Sequence, residues 1–209
     1  MKSMDKKKAL AVLENLYPDA KPALIYSTPY ELLVAVILSA QCTDERVNKV
    51  TAVLFEKHST PETMLQLTQT ELEKYIFSCG FYRMKAEHIL SASKDIIEKF
   101  DGKVPDTIEE LMSLAGVGKK TANVVYSVAF GGDAIAVDTH VFRVSNRLGL
   151  AKGKTPEEVE KGLNKAIPQK DWAKAHHWLI YHGRRVCHSR RPNCEECPLS
   201  SLCDFAKKR

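Results

Sequence analysis

No apolar run in this sequence approaches the roughly 18 residues that a membrane-crossing helix needs. The opening stretch, MKSMDKKKAL, turns polar too soon for a secretory leader, so a cytoplasmic protein is expected. No segment alternates apolar and polar residues at period two, which argues against half-buried strands. Internal repeats and low-complexity linkers are also missing, excluding a solenoid or modules on a flexible tether. Charge of neither sign dominates: 31 Lys and Arg stand against 26 Asp and Glu, a net +5. That mild basic bias permits nucleic-acid binding without demanding it.

What is present fits a globular chain of 209 residues, 44% hydrophobic and 27% charged, forming one large domain or two small ones. Residues 5–17 read as an amphipathic helix stopped near Pro18-Asp19. Thr28-Pro29 opens the next, with proline at the first helical position. Its interior, LLVAVILSA, is almost continuously apolar and could also describe a buried strand. With no partner strand nearby, a central helix buried on all sides is the better reading. Gln41-Cys42-Thr43-Asp44 breaks that pattern and starts a helix over about 44–58; Thr60-Pro61 starts another. Thr70 with Glu73 and Asp106 with Glu109 read as capping boxes, the first for a helix ending at Gly80. Phe81-Tyr82 lead into a long helix closing near Gly102. Gly131-Gly132 is the clearest internal break, followed by helices over about 139–149, 156–167 and 171–183. The fold class is all-α.

The chemistry concentrates between Leu111 and Leu150. Gly116-Val117-Gly118 reads as a tight hairpin between two helices, where glycine supplies positive φ and lets another backbone approach. The second helix starts near Lys119, so its first N–H groups and positive dipole end suit a phosphate oxygen. Lys119 and Lys120 sit against that dipole, a placement that costs something and therefore points to function. A lysine becomes a nucleophile only as the neutral amine, which burial or a neighbouring cation favours. Lys120 has an apolar helix and Lys119 beside it, but periodicity does not choose between the two lysines. Asp138, in Val137-Asp138-Thr139-His140, is a carboxylate before an apolar-periodic segment, which reads first as a capping residue at an accessible helix end.

The C-terminal region carries Cys187, Cys194, Cys197 and Cys203 in the pattern C-x6-C-x2-C-x5-C. In a reducing compartment these read as metal ligands before disulfides. On spacing alone, zinc held by four thiolates and an iron–sulfur cluster are equally good readings. Cys42 and Cys79 read as semi-buried thiols. Around the four cysteines crowd Arg184, Arg185, His188, Arg190 and Arg191, then Lys207, Lys208 and Arg209. A charge run is usually a solvated face. Tied down by a metal centre, this one becomes a cationic loop shaped for phosphates.

LAGVGKKTANVV followed by AVDTHVFRV resembles the helix-hairpin-helix and aspartate segment of the endonuclease III family, DNA glycosylases and abasic-site lyases of base-excision repair. The resemblance extends over nearly the whole chain, from SAQCTD to the four cysteines. It implies two interleaved helical domains: a six-helix barrel over about 22–132, with the hairpin at about 107–130, and a second domain from 1–21 plus 133–209. It implies a [4Fe–4S] cluster on the four cysteines, Lys120 as the nucleophile, and Asp138 as the group that deprotonates it and stabilises positive charge at the sugar. The target nucleotide would be flipped from the stack. Gln41 and Phe81 match the positions that fill the gap, although an ordinary core aromatic competes for Phe81. The DNA contacts so expected are Gln41, Phe81, Gly116, Val117, Gly118, Lys119, Thr121, His140, Arg143, Arg184, Arg190 and Arg191.

The partner implied is double-stranded DNA with oxidised pyrimidines or abasic sites, bound by a monomer that in a bacterium would associate with the nucleoid. Two departures from the family pattern stand out: Ala115 replaces the usual proline before GVG, and Met112 stands where an acid can occur. An adenine-specific mismatch glycosylase shares the hairpin, aspartate and cluster but typically lacks the lysine and carries a further C-terminal domain. Lys120 and an ending at Arg209 argue against it. A non-catalytic DNA clamp is the second rival, disfavoured by Lys120 and Asp138 together.

Overall fold

Threonine hydroxyls open six of the helices. Thr28, Thr43, Thr60, Thr68, Thr107 and Thr155 each accept a hydrogen bond from the backbone N–H three residues on, satisfying one of the donors every helix start leaves over. The computed structural model describes residues 3–208. In chain order the helices are α1 (Ser3–Leu16), α2 (Pro29–Ser39), α3 (Asp44–Phe55), α4 (Pro61–Met64), α5 (Gln69–Ile76), α6 (Tyr82–Phe100), α7 (Ile108–Ser113), α8 (Lys119–Ala129), α9 (Thr139–Leu148), α10 (Pro156–Ala166) and α11 (Trp172–Arg185). Three short 3-10 turns, Gln169–Asp171, Ser200–Leu202 and Ala206–Lys208, complete the described residues, among which there is no strand.

Two of the expected caps lie elsewhere. The capping box of α5 pairs Thr68 with Glu71, not Thr70 with Glu73, and α5 ends at Ile76, short of Gly80. At α7 the pair is Thr107 with Glu110, not Asp106 with Glu109. The buried leucines set the register. Leu72 and Leu111, both fully buried, close their N–H groups on the carbonyls of Thr68 and Thr107, so the cap falls four residues before each.

The chain divides into two compact units, each with its own core. Pro22–Gly131 holds α2 to α8. Its axis is α2, buried from Tyr30 to Leu38 and packed on α3, α6 and α8. Each leucine of that run contributes about 1.5–3 kcal/mol by leaving water, which explains the unbroken apolar sequence. The second unit joins the residues up to Lys21 with those from Gly132 onward. Ala9, Leu10 and Leu13 of α1, with Tyr17 just beyond it, enter one core with Val141, Val144 and Leu148 of α9, Val159 and Leu163 of α10, and Ala175, Trp178 and Leu179 of α11. The Tyr17 hydroxyl and His182 Nδ1, 3.1 Å apart, pin the residue just after α1 to α11.

Candidate active site and metal centre

In the Pro22–Gly131 unit the hairpin between α7 and α8 turns on Gly116, where φ is +75°. A Cβ there would come within 2.7 Å of His88 Nδ1, so both conformation and space demand glycine. Gly118 differs from expectation. Its backbone is extended (φ −86°, ψ 175°), and a Cβ would meet nothing within 4 Å. Its missing side chain instead leaves open space at the start of α8, which no side chain caps. Val117 has its side chain buried in the core and its N–H bonded to the Leu114 carbonyl, 3.2 Å away.

Lys119 and Lys120 are exposed and Thr121 is half-buried, above the apolar face of Ala122 and Val125. The burial foreseen for Lys120 is absent. Ala115 is half-buried and Met112 exposed.

Gln41 and Phe81 also lie in this unit, each in the left-handed region, with φ of 51° and 57°. Only two other described non-glycine residues share it, Asp101 and Arg191. Such backbone costs energy and clusters where function requires it. Phe81 is 60% exposed, so it is not a core aromatic. The two loops are neighbours: a Cβ on Gly80 would lie 3.5 Å from the Gln41 carbonyl oxygen, and the Cys79 thiol sits beside that of Cys42. Cys79 is fully buried rather than semi-buried, and burial pushes its thiol up to about 11.

In the other unit, Asp138 is the N-cap of α9. Its Oδ1 accepts from Val141 N at 2.7 Å, and Oδ2 has no hydrogen bond among the described residues. Two residues on, His140 is half-buried; burial holds its pKa below the ordinary value despite the Asp138 carboxylate. Arg143 was expected on DNA, but its guanidinium is engaged within the protein. It donates to the carbonyls of Cys187 (3.0 Å), Gly183 (2.9 Å) and Thr139 (3.3 Å) and to His140 Nδ1 (3.1 Å).

The four cysteines converge. Cys187, Cys194, Cys197 and Cys203 line one cavity with Leu148, Val186 and Phe205. Arg147 holds its rim, donating to the carbonyls of His188 (2.7 Å) and Ser189 (2.9 Å) and lying 4.7 Å over the Phe205 ring. Four sulfurs around one largely apolar space fit an iron–sulfur cluster. Sequence reasoning missed Arg147. Its spacing of four from Arg143 puts both on one helix face, which is a signal, but their targets are about 40 residues away. Arg184, Arg185, His188, Arg190 and Arg191 are exposed around this centre, as are Lys207 and Lys208. Arg209 lies outside the described residues.

Two family models match. The HhH-GPD superfamily of base excision DNA repair proteins covers residues 34–169, and the iron-sulfur binding domain of endonuclease III covers 187–203. The chain belongs to the endonuclease III family. Endonuclease III of Bacillus subtilis is 53% identical over 93% of this chain and 90% of the relative; that of Escherichia coli K12 is 45% identical over 98% and 99%. A trapped endonuclease III–DNA covalent intermediate superposes with a TM-score of 0.96 and 48% identity, covering 100% of this chain and 99% of that one. The family decides what cysteine spacing left open: the centre is a [4Fe–4S] cluster. The chain is thus a base-excision-repair DNA glycosylase and abasic-site lyase for oxidised pyrimidines, and DNA is its partner.

Proposed function

We propose that Lys120 is the nucleophile and Asp138 the group that serves it. The observation that carries this reading is the exposed lysine at an uncapped helix start, directly after a glycine with open space around it. A sugar–phosphate backbone can approach there, and the N–H groups and dipole of α8 favour its phosphate. Because Lys120 is exposed in the protein alone, the desolvation that favours its neutral amine comes with the bound DNA. The amine attacks C1′ of the flipped nucleotide, the C1′–N bond breaks, and the base departs with the bonding electrons. The sugar ring opens to a Schiff base on Lys120; loss of a C2′ proton then expels the 3′ phosphate by β-elimination. Asp138 keeps one oxygen on its cap bond and has the other for the ammonium proton and the positive charge developing at the sugar.

Gln41 and Phe81 occupy the gap left in the stack, Phe81 through its exposed ring. Gly116, Gly118, Lys119 and Thr121 hold phosphate at the hairpin; Arg184, Arg190 and Arg191 hold phosphate at the cationic loop. Arg143 and His140 shape the end of α11 and the cluster loop. When bound, the cluster ties four points of the C-terminal loop together and so fixes its cationic surface. The enzyme acts as a monomer on duplexes with damaged bases or abasic sites, in the cytoplasm. In support, no helix among the described residues is long and apolar enough to cross a membrane, and the named relatives are bacterial.

Borohydride trapping tests the assignment. Reduction of the Schiff base fixes a protein–DNA crosslink, which Lys120→Gln should abolish together with strand cleavage while binding to an abasic-site analogue survives. A crosslink that persists in Lys120→Gln and vanishes in Lys119→Gln would move the nucleophile by one residue.

A further inference from the structure

Lys85 is 4% exposed, yet it carries an ammonium group with no carboxylate partner among the described residues. Its Nζ donates instead to two main-chain oxygens at the end of α2: Leu38 at 2.8 Å and Ala40 at 2.7 Å. Those are places where a helix leaves carbonyls without internal partners and where its dipole is negative. The chain leaves α2 at Ala40 (φ −58°, ψ 116°) and enters the left-handed region at Gln41. Helices that turn this way usually do so on glycine. Here a glutamine must be held in the strained conformation by its surroundings.

Lys85 is also tied to the other gap-filling loop. It lies in the first turn of α6, the helix Phe81 opens, and its own N–H closes on the Phe81 carbonyl at 3.1 Å. One side chain therefore spans from the Phe81 helix to the carbonyl immediately before Gln41. We infer that Lys85 is a positioning residue for base eversion, fixing the Gln41 loop against the Phe81 loop so that both enter the stack in register. The inference rests on the gap-filling role given above to Gln41. It assigns Lys85 no contact with DNA.

The cost of eversion separates this role from a merely structural one. A paired, stacked base must be unstacked and unpaired; an abasic sugar has neither to lose. Loss of loop positioning should slow excision of a paired oxidised pyrimidine and spare cleavage at a preformed abasic site. Thymine glycol duplex and abasic duplex are compared as holoenzyme kcat/KM for Lys85→Met, Gln41→Ala, the double variant and Tyr30→Phe. The last removes a buried bond to Ser93 that joins α2 to α6 away from the loop, and controls for general loosening.

Lys85→Met should lose at least about tenfold on thymine glycol and stay within about threefold on the abasic site. Gln41→Ala should do the same, and the double variant should fall no further than the worse single one. Tyr30→Phe should leave the ratio of the two activities unchanged. If Lys85→Met does not yield folded holoenzyme, Lys85→Gln, which keeps a donor for one carbonyl, replaces it with the same expected ratio. Equal losses on both substrates, no loss on either, or additive effects in the double variant would each overturn the inference. Should Gln41→Ala move neither activity, the gap-filling role itself falls and the inference with it, while Lys120 trapping stands untouched.

Discussion

Arg147 donates to the main-chain carbonyl of His188 at 2.7 Å, from one helix of its unit to the loop that carries three of the four cysteine ligands. The same guanidinium reaches Ser189 and approaches the Cys187 sulfur at 3.5 Å. Arg147→Ala should destabilise the protein by about 1–3 kcal/mol, because charged hydrogen bonds are lost and loop carbonyls are left over. The purified protein should contain about four irons per chain. In the variant the visible absorbance should bleach faster in air. Unaltered bleaching would show that the loop is held by the cysteines alone.

Asp138→Asn keeps an oxygen for the Val141 N–H, so α9 should form and the melting temperature should hardly change. Turnover should nevertheless fall about 100-fold or more, as proton transfer and charge stabilisation are lost together. A large drop in melting temperature with normal turnover would reduce Asp138 to its capping role.

Salt dependence reads out the cationic loop. Each phosphate contact removed should make the slope of log K against log salt shallower by about 0.9. Arg190→Ala and Arg191→Ala should each show this on damaged and undamaged duplex alike, because phosphate contacts carry no sequence information. Slopes that do not move would mark the loop as a solvated face.

Acid should unfold the protein partly through His177. Burial, reinforced by His176 beside it, pulls its pKa down to about 3, against about 6.5 unfolded. The native state holds this imidazole neutral, so its contribution is complete above about pH 6.5. It is lost as pH falls from there towards 3, by up to about 1.4 kcal/mol per pH unit. In urea titrations between pH 7 and 5, His177→Gln should flatten the acid limb. An unchanged limb would place the acid sensitivity elsewhere.

Helix starts were legible because their causes are local. A threonine before a proline or an apolar run writes its cap into three or four residues, and α2 announces its burial by its composition. Adjacent candidates such as Thr68 and Thr70 were not separable without knowing which leucine points inward. The hairpin, the lysine pair and the cysteines were visible as patterns. The exposure of Lys120 and Phe81 was not, because it depends on what the rest of the fold covers. The bonds of Arg143 within the protein were not legible, because its partners Gly183 and Cys187 lie 40 and 44 residues further on. Lys85 gave no signal: a buried lysine bonded to carbonyls reads in sequence like any surface lysine.

The split of one unit around the other has a consequence in time. Tyr17 and His182 are 165 residues apart. At about 5–20 residues per second, a ribosome needs roughly ten to thirty seconds to travel from one to the other. For most of that interval α1 stands outside the exit tunnel with Ala9, Leu10 and Leu13 facing water, while all of Pro22–Gly131 is completed before the partner helices of α1 are made. The first helix translated is among the last to be sheltered, and in the cell its apolar face is a ready target for a holding chaperone.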